Sequence, residues 1–373
     1  MSKFPSRPYN RGVSVTPRFA ASLLRTSCRA YAAAAIVRLH ATQPALLAAG
    51  LPKSFAEPVD DTEVRILQLA AAIAVDRPVL MQHATAWYKV AFHYRGVAAE
   101  YLAANLAAIE AVLREELPPG VRNLVASHLD AARTHLEIAP VELPSVLSRS
   151  HPHGDLALHF LLAILEGRGD EALDRLRGAL DRGVAIEELH DHVLTPVQRE
   201  AGRMWLMGEI PIADEHYGSV IVERALGLMH ERLPRPAPGA PSVLTMGVSG
   251  NLHDLGLRLV AQRLQNAGFA VRDLGGNMPA ADLEWALQDR PVDLIAISAT
   301  MTLHLPALIE AVALVRRIAA VRAFGKKHLP VLVGGEPFRL VSDLHETVGA
   351  DAAAGDASDA VAAARRLVAA AGA

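Results

Sequence analysis

Three short apolar runs late in the chain constrain its fold most strongly. They are Val243-Leu244-Thr245-Met246-Gly247-Val248, Asp293-Leu294-Ile295-Ala296-Ile297-Ser298-Ala299-Thr300 and Pro330-Val331-Leu332-Val333-Gly334-Gly335. Each reads as a buried strand, and segments with helical apolar spacing, such as Leu257 to Ala267, lie between them. Strands alternating with helices predict a parallel, doubly wound α/β sheet from Ser242 to the end. The loop Asn251-Leu252-His253-Asp254-Leu255-Gly256 joins the first strand to its helix. A histidine there is presented at the carboxyl end of the sheet, where open α/β folds bind ligands. The second strand ends in hydroxyl side chains. The third ends in Gly334-Gly335, which lets backbone approach a ligand closely.

In this order and spacing, the three elements resemble the cobalamin-binding signature of a D-x-H-x-x-G loop, an S-x-L strand end and a G-G strand end. The resemblance implies a Rossmann-like, flavodoxin-like domain over 242–373. His253 would be the lower axial ligand to cobalt, in place of the cofactor's own dimethylbenzimidazole. The displaced nucleotide tail would lie between the serine strand and the Gly-Gly strand. Asn251, Asp254, Gly256, Ser298, Thr300, Gly334 and Gly335 are the implied cofactor-binding residues. Two positions depart from the pattern: Asn251 stands where an acid is usual, and Thr300 where leucine is usual. An amide can accept a hydrogen bond from the imidazole but adds no charge, so the ring should push less electron density onto cobalt. That counts against strong tuning of the metal, as in methyl transfer.

The rest of the 373 residues is expected to be helical. Such a length predicts two or three domains, because one core rarely grows past about 250 residues. With 51% hydrophobic and 21% charged residues, the chain has a soluble globular profile. Its longest apolar runs are interrupted too early for a membrane span. A single cysteine, Cys28, excludes an internal disulfide framework, and no secretory signal stands at the start, so a cytoplasmic protein is expected. No acidic residue precedes Glu57, while Lys3, Arg7, Arg11, Arg18, Arg25, Arg29, Arg38 and Lys53 are basic. No helix-turn-helix or winged-helix pattern follows, which disfavours DNA binding. The basic stretch reads as a tail and a first helix with a cationic face.

Proline and glycine punctuation divides the chain. Residues 1–17 read as a flexible tail, 18–137 as an all-helical domain and 138–153 as a linker. Residues 154–233, broken at Gly167-Arg168-Gly169, Arg182-Gly183 and Gly208-Glu209-Ile210-Pro211, are spaced for a four-helix bundle. Pro234 to Pro241 reads as an extended spacer.

Within the expected bundle, Trp205 is followed ten positions later by Glu215-His216. This resembles the W-x9-E-H motif of cobalamin-dependent photoreceptors, whose bundle caps the upper face of the corrin. The resemblance implies that Trp205 shields an adenosyl upper ligand and that Glu215 and His216 line its pocket. Leu206 stands where the light-sensing repressors of that family place a second histidine. In the first domain, His83, Trp87, Tyr88, Phe92, His93 and Tyr94 concentrate aromatic and imidazole groups in one short segment of a chain with 17 Phe, Trp and Tyr residues. His83 and Trp87 share a helical face. A core face is one reading. The other is a pocket for a flat conjugated ligand lined by His83, Trp87, His93 and Tyr94. An N-terminal helical domain, a bundle and a cobalamin domain without a winged helix resemble photocobilins, which imply a noncovalent bilin such as biliverdin.

The sequence therefore predicts a cobalamin-binding light sensor, with adenosylcobalamin favoured. It would act as a homo-oligomer or through a separate output protein, not as an enzyme. The alternatives are the corrinoid protein of a methyltransferase system and a cobalamin carrier.

Overall fold

The computed structural model describes residues 16–48, 57–288, 290, 292–321 and 328–372. Most of the expected tail over 1–17 lies outside them, as do Pro52 and Lys53. The first helical unit contains α1 (Pro17–Thr26), α2 (Cys28–Thr42), α3 (Pro44–Ala48), α4 (Pro58–Ala74), α5 (Pro78–His93), α6 (Ala99–Glu116) and α7 (Pro119–Ile138). Five of these helices begin with proline, whose fixed φ and missing N–H suit the first helical position. Thr16 caps α1 by accepting the Phe19 N–H at 3.2 Å.

The interior of this unit holds a charge that sequence reading missed. Arg65 is 1% exposed. It pairs with Asp61, and its Nε donates to Asn105 Oδ1 at 2.9 Å. Its guanidinium packs 4.9 Å from the Tyr88 ring centroid, with Phe92 and Tyr101 beyond. Asp61, in the first turn of α4, is its buried counter-ion. Tyr88 and Phe92 therefore face the core.

The second helical unit contains α8 (Gly154–Leu165), α9 (Gly169–Asp181), α10 (Ile186–Leu189), α11 (Thr195–Leu206) and α12 (Ile212–His230). A π-helical turn, His190–Leu194, joins α10 to α11. The helices pack around Phe160, Leu176, Leu189, Val193, Leu194 and Met229.

The sheet domain follows as β1 (Ser242–Gly247), α13 (Leu255–Asn266), β2 (Ala270–Asp273), α14 (Leu283–Gln288), β3 (Leu294–Ser298), α15 (Leu305–Val321), β4 (Val331–Gly334), α16 (Glu336–Leu340), α17 (Leu344–Val348), β5 (Ala352–Ala354) and α18 (Ala357–Gly372). All neighbouring strands are parallel, in the order β2-β1-β3-β4-β5. Strand order reverses between β1 and β3, where such sheets open a ligand crevice at the carboxyl edge. The register aligns Gly247, Ser298, Gly334 and Ala354 in one row at that edge.

Both helical units pack on this domain. The first unit's apolar core is continuous with Ile295, Ile297 and Leu308, and Arg77 pairs with Asp343 at 2.7 Å. The second unit meets α13 through His190, whose ring lies 3.1 Å from Gln262 Oε1, and through the Asp191–Arg263 pair at 2.8 Å. Gln262 in turn donates to the Leu226 carbonyl. Its amide oxygen can only accept, so His190 Nε2 carries the ring proton and buried Nδ1 is left without a partner.

Burial pushes the His190 pKa down from 6.5 to about 4. On acidification the unfolded chain takes up this proton first. The contribution is complete above the unfolded value and disappears as pH falls through about 4. A shift of this size corresponds to on the order of 3 kcal/mol. Denaturant titrations between pH 7 and pH 4 should show falling stability, and His190→Gln should flatten the slope. An unchanged slope in the variant would exclude His190 as a source of the acid sensitivity.

Candidate functional site

The loop after β1 presents His253 at the switch point. His253 is exposed beside fully buried Asn251, and its imidazole makes no hydrogen bond among the described residues. Its backbone is held from several sides. Asn251 Oδ1 accepts the His253 N–H at 3.3 Å, and Asn251 Nδ2 donates to the Ser298 carbonyl at 3.1 Å. Thr300 Oγ1 donates to the His253 carbonyl at 3.0 Å. Gly250 N–H donates to Asn277 Oδ1 at 2.8 Å. The loop is thus rigid where the ring is free.

The Asn251 amide was expected to orient the imidazole; it is committed to backbone groups instead. Asp254 likewise serves the loop, accepting from Arg258 Nε at 3.0 Å and from the Gly276 N–H at 3.3 Å. Thr300, the departure from leucine, supplies a bond that leucine could not make.

The end of β4 approaches the end of β3 backbone to backbone. Gly335 has φ +129°, and a Cβ built there would lie 2.1 Å from the Ala299 carbonyl oxygen. No side chain fits at this position. Gly256, by contrast, faces open space.

His304 was missed by sequence reasoning. It lies in the one-turn 3₁₀ helix Thr302–His304, just beyond the end of β3, and is 2% exposed. Its Nδ1 accepts the Met301 N–H at 3.2 Å, while Nε2 is buried without a partner. Burial first, and then repulsion from His253, push its pKa down to about 4. A histidine six residues after Ser298 was the available signal, but it matches no motif.

Trp205, Glu215 and His216 do not form one cluster. Glu215 is locked to α11 through Gln198 Nε2 at 3.2 Å and accepts from Ser219 Oγ at 3.1 Å. The His216 side chain is 73% exposed, with Nε2 3.8 Å from Glu215 Oε2. Trp205 packs away from them, 5.8 Å between ring centroids from Trp87 on α5. The four residues expected to line a bilin pocket also separate. His83 Nε2 lies 4.0 Å from Glu336 Oε1, Trp87 meets Trp205, and the His93 and Tyr94 rings meet each other at 5.0 Å. His83 thus faces the sheet domain, while Trp87 packs on the apolar core and against Trp205.

Among the described residues, no group of three or more His, Cys, Asp or Glu side chains is placed to hold a metal ion. A single imidazole donor in a crevice therefore fits a metal whose remaining ligands belong to a macrocycle. The glycine at 335 lets the end of β4 close against the Ala299-Thr300 backbone.

The B12 binding domain family matches residues 241–365, and a second B12 binding domain family matches 158–229. Dimethylamine corrinoid protein 3 of Methanosarcina mazei is 32% identical over 122 residues, covering 33% of this chain and 69% of the relative. The chain belongs to the cobalamin-binding corrinoid protein family. Dimethylamine corrinoid protein 3 of Methanosarcina acetivorans is 28% identical over 199 residues, which cover 53% of this chain and 88% of that protein. The HTH-type transcriptional repressor CarA of Myxococcus xanthus is 34% identical over 134 residues, covering 35% of this chain and 43% of the repressor. Among the described residues, no helix of this corrinoid protein is long and apolar enough to cross a membrane.

Two substitutions separate loop geometry from cofactor contact. Gly335→Ala should destabilise the protein by on the order of 3 kcal/mol, since the Ala299 backbone has to move. Gly256→Ala should leave apo stability unchanged or up to about 1 kcal/mol higher, because Gly is the poorer helix former. Reduced cobalamin binding in the stable Gly256→Ala variant would assign that position to cofactor contact; unchanged affinity would remove it from the site. Thr300→Val should cost about 1 kcal/mol through loss of the bond to the His253 carbonyl. Thermal unfolding without cofactor measures the stability changes.

Proposed function

We propose that this protein is a corrinoid carrier. His253 supplies the lower ligand to cobalt, the nucleotide tail lies against the ends of β3 and β4, and helices α8–α12 cap the upper face. The exposed, unbonded imidazole on a loop anchored by Asn251 and Thr300 carries this reading. When bound, the corrinoid supplies a cobalt–carbon bond through which an upper ligand is carried or released. The chain's own part is to hold the imidazole at fixed height, exclude a competing side chain at Gly335 and cover the opposite face.

For the use of that bond, one-carbon transfer with a separate methyltransferase is the first proposal. The likeness to a dimethylamine corrinoid protein supports it, because it extends over more of the chain than the sheet domain alone. Light sensing is the second, with adenosylcobalamin as the upper-ligand form. Its support is the Trp205 to Glu215-His216 spacing together with the packing of Trp205 on Trp87, which ties the cap to the first helical unit. CarA, named as a transcriptional repressor, is a relative outside one-carbon metabolism.

Reconstitution with methylcobalamin and adenosylcobalamin in darkness, followed by illumination, separates the two uses. A light-driven change in hydrodynamic size or amide exchange with adenosylcobalamin supports the sensor. Its absence, together with methyl-group uptake from a corrinoid methyltransferase, supports the carrier. Added biliverdin tests the second chromophore, through protein-dependent red absorption that weakens in Trp87→Ala. His253→Ala should shift the cobalamin spectrum away from histidine ligation. It should also weaken binding at least about tenfold, the lower end of what losing even an orienting partner of a metal ligand costs. An unchanged cobalt spectrum would remove His253 from the site.

A further inference from the structure

The turn that carries Trp205 is held from outside its own helical unit. Helix α11 ends at Leu206, and its Trp205 carbonyl accepts the Gly208 N–H at 3.0 Å, which leaves one lone pair there and the Leu206 carbonyl for other donors. Arg95, just beyond the end of α5, supplies them. Its Nη2 donates to the Trp205 carbonyl at 2.6 Å and its Nη1 to the Leu206 carbonyl at 2.7 Å. The same Nη1 donates to the Ala91 carbonyl at 3.1 Å, in the last turn of α5. One cation therefore sits at the negative ends of two helices belonging to two units. Burial lowers its pKa from the ordinary arginine value, a cost that the converging carbonyl groups offset.

The side chains reinforce this contact. The Arg95 guanidinium lies 5.0 Å from the Trp205 ring centroid, and Trp87 packs against the same indole at 38°. Val90, Ala91 and Leu206 form a small buried cluster under Trp87, Leu143, Trp205 and Met207. Past the turn, Gly208 has φ +70°, and a Cβ there would lie 3.5 Å from the Tyr94 carbonyl oxygen. At its other end, α5 reaches Glu336, directly after Gly335, through His83. One helix of the first unit thus borders both the capping turn and the strand end of the cofactor crevice.

We propose that Arg95 and Trp87 are positioning residues of a latch. They hold the Trp205 turn in place and thereby set how readily the upper face of the corrinoid is reached. This rests on the reading that α11 and α12 cover that face. In the first use proposed above, release of α5 is the step that admits a partner methyltransferase. In the second, α5 carries movement of the cap into the first unit.

The test uses the full chain, apo and loaded with aquocobalamin, as wild type, Arg95→Ala, Arg95→Lys and Trp87→Leu. Amide hydrogen exchange over residues 205–211 reads the latch without cofactor, and the rate of upper-ligand replacement by cyanide reads access. The latch predicts that Arg95→Ala speeds both by about tenfold, the loss of roughly 1.4 kcal/mol of hydrogen bonding and ring contact. The His253-ligated spectrum should be unchanged. Arg95→Lys, which keeps the charge but not the planar fork, should recover part of the effect. Trp87→Leu should speed both readouts without the loss of charge. Unchanged amide exchange at the turn would overturn the latch. Faster amide exchange with unchanged cyanide replacement would overturn its control of the upper face. Failure of the wild-type protein to bind aquocobalamin would overturn the functional reading itself, while apo amide exchange would still decide the latch.

Discussion

An imidazole can serve as a fixed axial ligand only if the backbone beneath it cannot move. Here that backbone is a loop with no regular structure, so its rigidity comes from its neighbours. Asn251 is buried and spends both ends of its amide on main chain, one on its own loop and one on β3. Thr300 reaches back from beyond β3 to the His253 carbonyl. The crevice therefore depends on the parallel pairing of β1 with β3, which brings Ser298 opposite Gly247. A one-residue slip in that pairing would turn every inward side chain outward and break both anchors.

The same economy appears at the neighbouring strand. Gly335 leaves its Ala299 contact to backbone alone, and the row Gly247, Ser298, Gly334, Ala354 keeps the sheet's carboxyl edge low. Small residues at an edge leave space, and buried polar residues next to them keep that space in shape. His304 adds a neutral, buried ring behind the exposed one.

The helical units contribute differently. The second unit is joined to α13, the helix that leaves the His253 loop, through His190 and Gln262 at the π-helical turn. An extra residue in a helical turn redirects the side chains that follow it, and such turns are frequent at functional positions. The first unit has its own buried ion pair and shares its apolar core with the sheet domain, and it also grips the Trp205 turn and touches the segment after Gly335. Through α5 the first unit thus contacts both the Trp205 turn and the sheet domain.

Strands β1, β3 and β4 and the histidine loop were legible in the sequence because each is a local pattern. Apolar runs, turn residues and fixed φ act over a few positions, and they dictate the α/β class and the place of His253. The roles of individual polar groups were not legible. Nothing local marks Asp61 and Arg65 as a buried pair. Asn251 looked like a partner for the ring until Ser298 was seen to take its amide. The aromatic segment after Arg77 read as a core face or as a pocket; its residues face the core, the Trp205 turn and the sheet domain in turn. Arg95 lies 110 residues from the carbonyl it completes. No periodicity encodes a bond of that length, since it forms only where two helical units pack against each other.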